Sequence, residues 1–158
     1  MSRGYLIHAV DEPYISKAQT LKNSIEHYTN DDVTIISDNF PYEKTKPLVW
    51  DGKVQPTNNL LDYWQLYWAT PYDETIVLDA DMLFLNDYSY WWDYLSKFDL
   101  LFPDTIINYK QETIKHEQYD KILTEHNIRP AYEKMFYFKK GDNALEFFNM
   151  LQIIISNF

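Results

Sequence analysis

The sequence contains no cysteine, few basic residues and no long apolar run, and each absence excludes a class of protein. Without cysteine there are no disulfides and no thiolate metal sites, and the chain suits a reducing compartment. Only 14 Lys and Arg residues stand against 24 Asp and Glu residues, which gives a formal net charge of −10. Nucleic-acid backbones require clustered positive charge, so we expect no nucleic-acid partner.

The apolar segments are all too short to cross a membrane, because nowhere do about 18 uncharged apolar residues run together. The first apolar run, residues 5–10, is also too short for the core of a signal peptide. We therefore expect a cytoplasmic protein with no membrane span. A length of 158 residues with 46% hydrophobic content allows a single domain, residues 1–158, with a sizeable core.

The spacing of apolar residues predicts an α/β fold. Residues 5–10 and 33–37 are short apolar runs typical of buried strands, and apolar residues recur at helical spacing between residues 14 and 28. This strand-helix-strand order is typical of a parallel sheet, whose ligands bind beyond the carboxyl ends of the strands. We predict a mostly parallel sheet flanked by helices.

The second half of the chain continues with shorter elements. Residues 38–59 hold several prolines and no sustained period, which predicts a long loop. A helix capped by Asn58 or Asn59 is predicted to extend to about residue 68, and a short helix is predicted within residues 88–95. The remaining predicted elements are strands at 75–78, 100–102 and 135–138, and a helix near residues 118–125.

The last predicted helix begins near Asn143, which has capping-box spacing to Glu146. Its apolar face is broad and continues to the last residue, Phe158. An exposed apolar face of this kind indicates missing partner sequence, a dimer contact or a truncated protein. A homo-oligomer that forms through this helix is therefore one expectation.

The most informative stretch is TIVLDADMLFL at residues 75–85, where two carboxylates interrupt an apolar run. Asp79 and Asp81 are predicted to emerge where a buried strand ends, and alternation along an extended chain would send both side chains to one side. Carboxylate oxygens suit a hard divalent ion such as Mg or Mn. Chance alone gives about 1.4 Asp-x-Asp matches in this composition, so the apolar flanks carry the prediction, and a solvated turn is the alternative.

Four segments, taken in order, have the pattern of one known family. They are residues 6–14 (LIHAVDEPY) with the following helix that holds Ser24, residues 69–82 around the Asp-x-Asp motif, residues 87–95 with 98–100, and residues 135–140 with the last helix. Together they resemble the nucleotide-sugar glycosyltransferases of the GT-A fold, especially family 8 and its phage-encoded relatives. The resemblance covers most of residues 4–158.

The resemblance implies a GT-A (Rossmann-like) fold and transfer of a sugar, as in hexosyltransferases, from a nucleotide-diphosphate sugar to an unknown acceptor. It implies a nucleotide site whose members are Ala9, Val10, Asp11, Tyr14, Asp79 and Ala80. Within that site Tyr14 would stack on the base. Asp79 and Asp81 would carry a Mn or Mg ion that bridges the diphosphate and acts as a Lewis acid and template.

Three features depart from the family pattern. The His-containing motif that supplies a further metal ligand near the C-terminus of the family has no counterpart before Phe158, so the chain resembles a shortened member. Residues 60–70 offer no basic residue toward the phosphates, and Gln65 stands near the expected position. Glu133 and Lys134 replace a small Ser-Gly pair on the acceptor side. No catalytic residue is assigned.

Two other functions remain open. In a phosphatase of the haloacid-dehalogenase type, Asp79 would be the nucleophile and Asp81 the acid, although that class expects the pair on its first strand. The other alternative is a non-catalytic transferase-like domain that binds nucleotide or sugar, or that only scaffolds a partner. His8 lies inside the first predicted strand and is interpreted as a core histidine rather than a ligand.

Overall fold

The computed structural model describes residues 1–9, 12–37, 45–46, 49–50, 53–54, 63–108, 110–113, 123, 125–129 and 131–157. The first half contains β1 (Arg3–His8), α1 (Glu12–Tyr28), β2 (Asp32–Ile36), β3 (Thr45–Lys46), β4 (Val49–Trp50) and β5 (Lys53–Val54). The second half contains a 3₁₀ turn (Tyr63–Gln65), α2 (Leu66–Ala69), β6 (Glu74–Asp79), α3 (Trp91–Leu95), β7 (Leu100–Leu101), β8 (Met135–Lys139) and α4 (Asp142–Ser156).

Six of the strands form one sheet in the order β3-β2-β1-β6-β8-β7. The pairings of β3 with β2, β2 with β1 and β1 with β6 are parallel, whereas β8 pairs antiparallel with both β6 and β7. The predicted mostly parallel α/β sheet is confirmed. In the register of the central pair, His8 at the end of β1 lies beside Asp79 at the end of β6.

Helices cover both faces of this sheet. On one face α1 buries an apolar stripe at helical spacing against β1, β2 and β6, and its members are Ile15, Ala18, Leu21 and Ile25. On the other face α2 and α4 pack on aromatic residues of β8, with Phe148 of α4 against Phe138 at a ring-centroid distance of 5.0 Å. Because the central strands are buried on both sides, they read as continuous β-branched and apolar runs in the sequence.

Several predicted boundaries differ from the structure. Strand β1 ends at His8 rather than Val10, α1 begins two residues earlier than expected, and β2 ends at Ile36. The predicted loop at 38–59 contains the three short strands β3, β4 and β5, and its other residues lie outside the described ranges. The predicted caps Asn58 and Asn59, and most of the helix expected near residues 118–125, lie outside them as well.

The predicted capping box of the last helix is wrong. The helix begins at Asp142 after Gly141, no side chain caps it, and the Leu145 amide donates to the Gly141 carbonyl. Asn143 is already inside the helix, where its side-chain Nδ2 donates to Asp99 Oδ2 at 2.7 Å. Asp99 immediately precedes β7. A hydrogen bond to its carboxylate is stronger than a capping hydrogen bond to a backbone amide of the helix, so the Asn143 side chain does not cap the helix end.

The apolar face of α4 is partly open. Met150, Ile153 and Ile154 are exposed, while Phe148 on the opposite side is buried. A contact between copies through this face stays a prediction. Among the described residues, no helix combines the length and the apolar character that a membrane crossing requires.

Candidate functional site

The predicted carboxylate pair lies at the carboxyl end of the central strand β6. Asp79 is the last residue of the strand, and Ala80 and Asp81 form a turn in which the Met82 amide donates to the Asp79 carbonyl at 3.3 Å. The expected extended alternation through Asp81 is therefore wrong, because this hydrogen bond bends the chain immediately after Asp79. Asp79 is largely buried, with 12% of its side chain exposed, whereas Asp81 is exposed.

Lys134 pairs with Asp79 across the edge of the sheet. Its Nζ donates to Asp79 Oδ2 at 2.5 Å, and the Asp79 amide donates to the Lys134 carbonyl at 2.8 Å. Residue 134 comes immediately before the antiparallel strand β8, so the register of β6 and β8 brings it opposite Asp79. The hydrogen bond to Asp79 raises the pKa of the Lys134 ammonium, against a smaller lowering by burial. Lys134 therefore remains a cation.

Two tyrosines share the electrostatic environment of this edge. Burial, followed by the charge of Asp79, raises the pKa of Tyr63 to about 12. Burial also raises the pKa of Tyr132, and the nearby Lys134 charge opposes that shift. The charges of Asp79 and Asp81 also raise the pKa of each tyrosine. Both phenols are neutral near pH 7 and are able to donate hydrogen bonds.

The residues predicted from the first strand lie partly at the same edge. Ala9 follows His8, is buried, and its amide donates to the Ile36 carbonyl at 3.0 Å. Because His8 is beside Asp79 in the register, Ala9 and Ala80 both continue from neighbouring strand ends. Tyr14 lies in the first turn of α1 with its ring exposed, and Lys17 Nζ is 4.8 Å from the ring centroid. Val10 and Asp11 lie outside the described residues.

His8 and Ser24 both have structural contacts. His8 is buried, as expected of a core histidine, and its ring meets that of Tyr63 edge-on at 5.3 Å. Ser24 Oγ donates to the Leu21 carbonyl at 2.7 Å and accepts from the Phe84 amide at 3.0 Å. This second bond joins α1 to the segment that follows the carboxylate turn.

The donor set fits a hard divalent ion in kind but is small. Asp79 and Asp81 supply carboxylate oxygens at one strand end, which are ligands that Mg and Mn prefer. Within the part of the chain that the structure describes, no three His, Asp or Glu side chains converge as a metal site. An ion held here would therefore complete its coordination with substrate oxygens and water, as magnesium commonly does.

Sequence reasoning missed Lys134, Tyr63 and Tyr132. Lys134 was noted only as a departure on the acceptor side, because the sequence does not reveal that β8 runs antiparallel beside β6. The available signal was a basic residue immediately before a predicted aromatic strand. It indicates a contact with Asp79 only when the antiparallel pairing of β8 with β6 is known. Tyr63 lies in the 3₁₀ turn that precedes α2, where only a continuous helix was expected.

A groove of about 530 Å³ opens at the opposite, amino end of the sheet. It is lined by Glu26, Thr29, Asn30, Asp31, Asp32, Val33, Thr34 and Tyr72. In its wall Asp31 accepts hydrogen bonds from Trp92 Nε1 at 2.9 Å and Ser89 Oγ at 3.5 Å. Arg3 Nε lies 3.9 Å from the same carboxylate. None of the residues predicted to bind a nucleotide or a metal lines this groove.

Comparison with known proteins shows the fold. No family model matches the sequence, and no curated protein matches it. The structure is similar to the crystal structure of the apo-form glycosyltransferase GlyE of Streptococcus pneumoniae TIGR4, with a TM-score of 0.55 and 11% sequence identity over 99% of this chain. This chain spans 38% of the length of that protein. The chain therefore has the α/β fold of a glycosyltransferase.

Proposed function

We propose that this chain is a metal-dependent glycosyltransferase domain that uses a nucleotide-diphosphate sugar and resembles family 8. The observation that carries the proposal is the position of Asp79 and Asp81, at the carboxyl end of the central parallel strand of a glycosyltransferase-like sheet. Ligands of such sheets bind beyond this edge, where Ala9 also lies. A carboxylate pair at that point suits a cation that accompanies a diphosphate.

Each residue at the edge has a proposed role. Asp79 and Asp81 hold Mn or Mg, which supplies, when bound, the positive charge that stabilises the departing diphosphate. Lys134 provides a second positive charge beside Asp79. Ala9, with Val10 and Asp11, contacts the nucleoside, and Ala80, which lies between the two aspartates in sequence and whose small side chain is buried, is proposed to lie beside the phosphates. These roles describe donor binding, and the acceptor side has no assigned residue.

Two further side chains are proposed to contact the donor. Tyr14 presents an exposed ring at the start of α1, where it is able to stack on a base. Tyr63 is neutral near pH 7, as any tyrosine is, and burial raises its pKa further, to about 12, so it adds no negative charge next to Asp79. Its phenol is then available as a hydrogen-bond donor to the donor sugar or its phosphates.

Nucleotide-dependent thermal stability tests this proposal. Mn²⁺ with uridine or guanosine diphosphate, at 100 times the dissociation constant, is expected to add about 2.7 kcal/mol to the free energy of unfolding. Asp81→Asn should remove this gain, whereas Asp93→Asn, at an exposed aspartate of α3, should keep it. No shift with either nucleotide, or an equal shift in Asp81→Asn, would contradict the proposal.

A non-catalytic binding domain is the second candidate. It is favoured by the Lys134–Asp79 pair, which already neutralises one proposed ligand. This candidate predicts nucleotide binding without metal-dependent release of sugar from any donor. The phosphatase alternative is less favoured, because Asp79 lies on β6, after a complete β1-α1-β2 unit. Hydrolysis of small phosphoesters that Asp79→Asn abolishes would restore it.

A further inference from the structure

The pair between Lys134 and Asp79 lies at the centre of the proposed metal site. Its N–O distance is 2.5 Å, and a main-chain hydrogen bond of 2.8 Å between the same two residues fixes their backbones side by side. The ammonium is therefore directed to Asp79 by the register of β6 and β8. A lysine on an unrelated surface loop would have no such constraint.

The exposures of the two side chains allow Lys134 to leave Asp79 while Asp79 stays in place. Asp79 is 12% exposed, whereas the Lys134 side chain is 43% exposed on a flexible four-carbon stem. The carboxylate thus stays at the strand end, and the ammonium is free to rotate toward solvent. An ion that uses Asp79 Oδ2 must first displace this ammonium, and the two cations would then repel each other at short range.

We propose that Lys134 competes with the divalent ion for Asp79, so that the site binds metal weakly until a diphosphate offers the ammonium a new partner. This inference rests on the proposed function. The diphosphate is the appropriate partner because it is the anion that the proposed donor brings to the end of β6, within reach of the half-exposed Lys134 side chain. Lys134 then moves from one anion to another, and metal and donor assist each other's binding.

Manganese binding in the absence of nucleotide is the direct test. Calorimetry or electron paramagnetic resonance would measure the Mn²⁺ dissociation constant of the wild type and of Lys134→Met. Removal of an exchangeable ion pair of this exposure is expected to tighten Mn²⁺ binding about fivefold. Lys134→Arg retains the charge and should bind Mn²⁺ as the wild type does.

The matched control is Lys97→Met. Lys97 is exposed and lies over the Tyr94 ring at 5.6 Å, so its loss changes the net charge equally without touching Asp79. Its Mn²⁺ affinity should remain that of the wild type. If Lys97→Met tightens binding as much as Lys134→Met does, the effect is one of net charge and the inference is wrong.

The remaining outcomes separate this inference from the proposed function. Equal Mn²⁺ affinities in the wild type and Lys134→Met, with binding lost in Asp79→Asn, would overturn the competition and leave the metal site standing. Absence of Mn²⁺ binding in every variant, with or without uridine or guanosine diphosphate, would overturn both. When a nucleotide that stabilises the wild type is present, the Mn²⁺ dissociation constants of the wild type and Lys134→Met should become more similar. If they differ as much as they do without nucleotide, Lys134 does not move from Asp79 to the diphosphate.

Discussion

The two ends of the sheet each pair an aspartate with a cation, but they do so in different ways. At the amino end Asp31 accepts from Trp92 and Ser89 and lies near Arg3, so its charge is used to hold α3 and β1 together. At the carboxyl end Asp79 has the single, half-exposed Lys134 as its side-chain ion-pair partner among the described residues. The groove of about 530 Å³ lies at the amino end.

The groove and the proposed site thus lie at opposite ends of the sheet, and the partners of the two aspartates distinguish these ends. A carboxylate whose lone pairs are occupied by hydrogen bonds from the fold has little capacity left for a ligand. A carboxylate with one replaceable partner at the mouth of parallel strands keeps that capacity. We therefore take the carboxyl end as the candidate functional site and expect the amino end to have a structural role. Substitutions at the two ends should separate these roles.

The largest effect is expected for Asp79→Asn at the functional end. Loss of one of the two proposed carboxylate ligands should weaken Mn²⁺ binding by about a hundredfold. The free energy of unfolding should change by less than about 1 kcal/mol, because Lys134, which loses its partner, is half-exposed and turns to solvent. Metal titration and urea unfolding of the same preparation would measure both. A large loss of stability with unchanged metal affinity would reverse the roles of the two ends.

Gly4→Ala should have the next largest effect, and it acts at the structural end. A Cβ on Gly4 would overlap the Tyr72 ring and approach the Asp32 carbonyl oxygen at 2.7 Å. Relief of this overlap requires movement of β1, β2 or Tyr72, so we expect a loss of about 2 kcal/mol in the free energy of unfolding. Gly141→Ala is the control, because its added Cβ meets no atom within 4 Å. Similar urea midpoints for both variants would refute the close packing at Gly4.

The hydrogen bond of Trp92 should contribute somewhat less, and Trp92→Phe removes it together with part of a buried ring. The substitution removes the indole N–H that donates to Asp31 Oδ2 at 2.9 Å, and a hydrogen bond to a charged group contributes about 1.5 kcal/mol. A double-mutant cycle with Asp31→Ala would isolate this bond from the change in ring size. Nucleotide and metal affinities should stay at wild-type values. Additive effects of the two substitutions on the free energy of unfolding, or a loss of metal binding, would contradict a purely structural role for the Trp92–Asp31 hydrogen bond.

The smallest effect is a pH dependence at the structural end. Burial, and then the charge of Asp31, raises the pKa of Tyr5 in the folded state well above its ordinary value near 10. The neutral phenol is therefore the stable form, so its contribution is complete below about pH 10 and is lost as the pH rises through the folded-state pKa. At pH 11 the free energy of unfolding should fall by about 1 kcal/mol from this group alone.

Tyr5→Phe should remove that part of the alkaline loss of stability. Tyr90→Phe, at an exposed tyrosine, serves as the control and should follow the wild-type pH profile. Urea unfolding at pH 8 and pH 11 would give the comparison. If Tyr5→Phe and the wild type lose equal stability between these pH values, Tyr5 does not titrate as its surroundings indicate.

Local patterns explain how much of the fold could be predicted. Helix α1 and strand β6 each have an apolar pattern within one continuous stretch of sequence. Their presence and their type could therefore be predicted from the sequence. The position of Asp79 at the mouth of a strand followed for the same reason. Boundaries were less certain, because a strand ends where pairing stops. For β1 that point, His8, depends on the neighbouring strand rather than on its own apolar run.

Long-range pairings explain what could not be predicted. Lys134 meets Asp79 across 55 positions of sequence, and Trp92 meets Asp31 across 61. Neither contact has a local signal, since each depends on the order and direction of strands in the sheet. The turn at Ala80 was missed for a related reason, because a single main-chain hydrogen bond to Asp79 ends the extended geometry.

Residue 134 combines two bonds to Asp79 that respond differently to substitution. Its carbonyl accepts the Asp79 amide whatever the side chain is, whereas its ammonium contact exists only in lysine or a close substitute. The charge next to the carboxylate pair can therefore be altered at this position while the sheet edge is preserved. In evolutionary terms, one codon at position 134 sets the charge beside Asp79 without altering the strand pairing, and protein engineers have the same access to it.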